Sequence, residues 1–171
     1  MAIPVTAQTT APAKAPAPVS AEAPAPAAAG VLVSGAGLAK PVRVTDAQLA
    51  KLPRLQATRA GHDGTPRTYS GVDLYAVLLA AGADLAPAQL PGKGMAHYVQ
   101  VGAADGYQAV FALAELSPDF APSPVLLADR CDGQPLPAAA GPYQIIVPAD
   151  KKMGRCVRQV QTLRIAAAPR P

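Results

Sequence analysis

Cys131 and Cys156 are the two thiols among 171 residues, and their placement admits a bond between them. Cys131 directly precedes an Asp-Gly turn and Cys156 opens the last predicted strand, so both can fall at the same end of neighbouring strands. A disulfide there would close a loop of about 25 residues and stabilise by ~3 kcal/mol on the chain-entropy account. It would also suit an oxidising compartment. The other reading is two unrelated thiols, since a redox-active pair would want a Cys-x-x-Cys spacing that is absent. His62 with Asp63, and His97 further on, lack the Cys or carboxylate spacing of a metal site. No Gly-x-Ser-x-Gly elbow supports a serine hydrolase. Arg155 and Arg158 carry planar forks that bond two oxyanion oxygens at once, and Lys151 and Lys152 in the preceding loop add to the same field. Their bland alternative is a solubilised outer face. Tyr107, after Asp105-Gly106, is either a functional hydroxyl or a packing ring.

The elements that position these groups are short. Val31-Leu32-Val33 and Val42-Arg43-Val44 predict two strands, or one broken by a turn. Thr45-Asp46-Ala47-Gln48 has capping-box spacing for a brief helix ending before Pro53. Leu55–Thr58 alternates as a half-buried strand, Gly61–Pro66 turns, and Arg67–Tyr69 returns. Leu74, Val77, Leu78 and Ala81 share one helical face, with Asp73 at its positive end and Gly82 as a left-handed stop. His97–Val101 and Tyr107–Phe111 flank an Asp-Gly hairpin turn. Ala114-Glu115-Leu116 predicts a helical turn. Strands follow at Val125–Ala128, Tyr143–Val147 and Val157–Ile165, the first running into Asp132-Gly133. The class is α+β, rich in short mixed strands with a few short helices.

Half of the residues are hydrophobic, enough for one core of ordinary size. The net charge of +4 arises with only 15% charged residues, without a Lys/Arg run, and aromatics are too few for a stacking surface. These features argue against nucleic acid as a partner. No apolar run reaches membrane-spanning length, and no intact signal peptide is legible. Residues 1–30 alternate Ala with Pro and predict a disordered, extended tether. Residues 31–167 then form the folded domain and 168–171 a tail. Such a tether suits an exported, periplasmic or secreted bacterial protein. The alternative is a cytoplasmic protein with a disordered tail.

Three blocks in order carry a family resemblance: Gly71-Val72-Asp73-Leu74 with Leu78-Leu79 and Ala81-Gly82, then Ala104-Asp105-Gly106-Tyr107, then Asp132-Gly133-Gln134-Pro135-Leu136-Pro137 running through Gly141-Pro142 and Val147-Pro148 to Arg155-Cys156-Val157-Arg158. In this order and spacing the chain resembles the molybdopterin-binding domain of the sulfite oxidase family. The resemblance spans most of residues 31–165. It implies that family's α+β fold and a molybdopterin cofactor, with Arg155, Arg158 and Tyr107 as cofactor-binding residues. In that family a cysteine thiolate about a dozen residues before the Gly-x-x-Leu helix start binds molybdenum. Here Thr58, Arg59 and Ala60 occupy that neighbourhood, and none is a soft donor. Gln144 and Ala140 also stand where relatives often carry basic residues and His.

Three readings follow. One is a noncatalytic module binding a pterin, another small anion or a protein partner in the cell envelope. Another is a molybdenum oxidoreductase with an unconventional metal ligand. The last is a structural or interaction domain with no ligand, which predicts a cleft that is shallow or filled by apolar side chains.

Overall fold

The computed structural model describes residues 30–61, 63–85 and 92–169. Residues 1–29 of the predicted tether, His62 and the last two tail residues lie outside the described residues. The β-branched run at the start of the domain forms β1 (Val31–Gly35), which pairs antiparallel with β2 (Val42–Val44). Thr45 then caps α1 (Asp46–Leu49). Its hydroxyl accepts from the Gln48 amide at 3.4 Å, and the Gln48 side chain accepts from the Thr45 amide at 2.9 Å, the reciprocal pair expected of a capping box.

The alternating segment that follows is β3 (Arg54–Ala60), paired along its length with β4 (Pro66–Asp73). Both strands run further than the sequence pattern predicts, because ladder pairing continues through Arg59 and Ala60 on β3 and through Ser70, Gly71 and Val72 on β4. Asp73 caps α2 (Leu74–Ala80) by accepting from the Tyr75 amide at 3.1 Å, and Gly82 ends the turn at φ 83°. The predicted face is the buried one, with Leu74, Val77 and Leu78 at 0% exposure and Ala81 at 6%.

A 3₁₀ turn at Gly92–Ala96 leads to the hairpin of β5 (His97–Ala103) and β6 (Gln108–Ala112), followed by α3 (Leu113–Leu116). Next come β7 (Leu126–Cys131), the two-residue β8 (Gln134–Pro135), β9 (Gln144–Ile146) and β10 (Val160–Ala167). Asp132 and Gly133 both take positive φ, 51° and 79°, as a type I′ turn requires.

The strands form two sheets. One has the order β2-β1-β10-β5-β6, with β1 parallel to β10; the other has the order β3-β4-β7-β8, with β9 also on β7. Residues 125–128 of the β7 segment are buried throughout because both faces of the strand are covered. Leu127 joins the main core, which unites residues of both sheets with α2. Leu126 and Ala128 join a second cluster with Tyr69 and Ile146.

Two sequence expectations change here. The last strand starts at Val160, not Val157, so Arg155, Cys156 and Arg158 lie in the loop before it, where Gln159 takes a positive φ of 48° and interrupts extended backbone. The predicted Cys131–Cys156 disulfide is absent, and both cysteines are free thiols. Cys156 belongs to the main core, whereas Cys131 packs against the second cluster. The late start of β10 leaves Cys156 in a loop and removes the shared strand end that the pairing assumed.

Candidate anion-binding cleft

The loop between β9 and β10 forms one wall of a cleft of about 930 Å³, which β3 and its following turn, together with the β5–β6 hairpin, close from the other sides. The alternation of β3 decides what reaches its floor. Leu55, Ala57 and Arg59 point inward while Gln56, Thr58 and Ala60 are exposed, so among the three residues at the expected cysteine neighbourhood it is Arg59 whose side chain is buried.

Arg59 is 9% exposed, and its Nη1 donates to the backbone carbonyls of Val147 and of Asp150, the latter at 2.6 Å. No carboxylate lies within ion-pair distance of it among the described residues. Its Nε is buried with no hydrogen-bond partner. An unmet donor of this kind costs ~1–3 kcal/mol. Lys151, Lys152 and Arg158 also line the cleft, are exposed, and make no ion pair or side-chain hydrogen bond among the described residues. Against these four cations stand two lining carboxylates, Asp105 and Asp150.

Asp150 is already paired. Arg155 grips it with Nε at 2.9 Å and Nη2 at 2.7 Å, and reaches Glu115 of α3 through Nη1 at 2.9 and 3.0 Å. The Arg155 guanidinium beside Asp150 holds that carboxyl below its ordinary range. Arg155 also lies 4.8 Å from the centroid of Phe111, a ring fully buried in β6. It is therefore a brace between the cleft loop and the first sheet, and it is not among the residues lining the cleft.

Tyr107 does line it, but its hydroxyl donates to the Gly154 carbonyl at 2.6 Å, tying the hairpin to the same loop. Asp105 accepts from the Tyr107 amide at 2.9 Å. Of the residues that the resemblance implied as cofactor contacts, Arg158 is thus the one with an uncommitted head group in the cleft. Cys156, 7% exposed, also lines it. Cys131 sits in a smaller adjoining cavity of about 290 Å³, with Tyr69, Gln144 and Arg158, and burial pushes its thiol up.

Sequence reading missed Arg59 as the cleft floor and Asp150 as a clamp. The signal for Arg59 was its place on the inward register of an alternating strand. Asp150 had none, since its partner is set by a loop.

The donor set was tested against the cofactor that the resemblance implies. A guanidinium has no lone pair to give a metal, so the floor does not fit a thiolate-bound molybdenum. The cationic rim fits the anionic phosphate of a pterin. Among the described residues no three His, Cys, Asp or Glu side chains cluster as metal ligands.

The fold defines the class first: an α+β domain of sulfite-oxidase-like architecture. In particular, the chain is similar to one in the crystal structure of the sulfane dehydrogenase SoxCD from Paracoccus pantotrophus, with a TM-score of 0.59 and 20% identity. The match covers 80% of this chain and 38% of that one. At this identity the likeness is one of fold. No protein-family model and no curated protein matches the sequence.

Proposed function

We propose that this protein is a noncatalytic sulfite-oxidase-like module whose cleft binds a small anion, a pterin phosphate among them. The observation that carries the reading is Arg59, a buried guanidinium with no ion-pair contact and an unmet Nε among the described residues, in a cleft whose other cations are uncommitted. The size and charge of the cleft speak against a domain with no ligand, for which a shallow or apolar cleft is expected. The Ala/Pro-rich first thirty residues support an envelope location. No described helix is long and apolar enough to cross a membrane.

Calorimetric titration with inorganic phosphate and with a pterin phosphate monoester tests this. Wild type should bind at least one of them, more weakly as salt rises. A variant carrying Lys151→Gln, Lys152→Gln and Arg158→Gln should bind it at least about tenfold more weakly. Absence of saturable heat from both ligands removes the anion site and leaves a structural or interaction domain.

A second reading, a molybdenum oxidoreductase with an unconventional ligand, is favoured by one observation: the Cys156 thiol borders the cleft. It requires stoichiometric molybdenum that is lost in Cys156→Ser. Burial of Cys156 in the main core weighs against it.

A further inference from the structure

The geometry points to a specific subsite at the cleft floor: a compact tetrahedral oxyanion, of the phosphate or sulfate class, bound by Arg59 at the place where a thiolate-bound metal would otherwise sit. This inference rests on the reading of the cleft as an anion site and adds which residue closes on the anion and what shape of anion it takes. Arg59 is placed there by the inward register of β3 and is fixed in orientation by two neutral carbonyls, those of Val147 and Asp150. Those carbonyls satisfy Nη1 but are no ion pair, and they leave Nε without an acceptor; Asp150 feels the Arg59 charge without touching it. A buried cation of this kind is complemented by an anion, and its planar fork by an anion with oxygens to spare.

Asp150 lies in the field of Arg59 but gives it no carboxylate contact. Both of its carboxylate oxygens are taken by Arg155, which is itself shared with Glu115. The arrangement keeps the nearby carboxylate turned away from Arg59 while its backbone carbonyl holds the guanidinium in place. Lys151 and Arg158 line the loop wall of the same cleft, so donors stand on more than one wall, which suits a tetrahedral group with several acceptor oxygens better than a flat carboxylate. Nε is sealed from solvent, so engaging it requires a small rotation of the Arg59 side chain as the anion enters.

The test follows the Arg59 Nε–Hε resonance in ¹⁵N-labelled full-length protein, assigned by its loss in Arg59→Lys, during titration with sodium phosphate at constant ionic strength. The expected result is a saturable shift of that resonance and at least about tenfold weaker phosphate binding in Arg59→Lys. Sodium acetate titrated in parallel should leave the resonance unmoved. An acetate response equal to that of phosphate would overturn the tetrahedral assignment. Phosphate binding that is lost in the Lys151→Gln, Lys152→Gln, Arg158→Gln variant while the Arg59 resonance stays fixed in wild type would place the anion at the rim. That outcome overturns this inference and leaves the reading of the cleft standing. No saturable binding of phosphate or of a pterin phosphate by wild type overturns both. The wild-type resonance is readable whether or not the lysine variant folds.

Discussion

At the scale of single residues, Arg59 is held by carbonyls and makes no ion pair among the described residues, so its removal strips Val147 and Asp150 of a donor. Arg59→Met should therefore cost about 1–3 kcal/mol in urea unfolding, and an unchanged midpoint would show that these bonds contribute nothing. Asp150 supplies a pH-dependent test. Its folded-state pKa lies below the ordinary 3.8, so its pairing with Arg155 stabilises above the unfolded value and is lost as pH falls through the folded one. The stability difference between wild type and Asp150→Asn, on the order of 0.2–1 kcal/mol, should be constant from neutrality to about pH 5 and shrink in more acidic solution. A difference that grows on acidification would contradict the pairing. The thiols give a simpler check: denatured, unreduced protein should titrate with both cysteines free. A mass lower by the two hydrogens of a disulfide would restore the bond that the structure lacks.

At the scale of elements, the second sheet depends on a close approach at Gly71. A β-carbon there would meet the Leu127 carbonyl oxygen at 2.2 Å and the Ala128 α-carbon at 2.5 Å, both backbone atoms that cannot step aside. Gly71→Ala should cost at least about 3 kcal/mol, read from the thermal or urea midpoint; a near-neutral substitution would mean that β4 and β7 part easily. Thr45→Ala should cost about 1 kcal/mol through loss of the cap.

Sequence legibility followed the same division into local and distant causes. The capping box at Thr45, the α2 face and both Asp-Gly turns were readable because each is fixed by a few neighbouring residues. The start of β10 was not. Val157 has strand-like chemistry, but its carbonyl accepts from the Ile145 amide as part of the cleft loop, a bond set by distant chain. Arg155 likewise read as an anion ligand, while Glu115, forty residues away in sequence, makes it a brace. The family resemblance pointed to Thr58, Arg59 and Ala60, which all line the cleft, without saying which is buried; the strand register singles out Arg59.

At the scale of the whole molecule, the main core joins both sheets and α2, and the cleft is built from loops braced onto that core by Arg155 and Tyr107. A scaffold of this kind can keep its shape when the chemistry of one position changes, and here the position expected to hold a soft donor holds a guanidinium. The function proposed for this position is to take an anion and not a metal. It is tested most directly by elemental analysis for molybdenum on wild-type protein purified from a host that makes the cofactor. The account predicts no molybdenum above the buffer background, whether or not a pterin is carried along. One molybdenum per chain would contradict it and turn attention to Cys156 as the ligand.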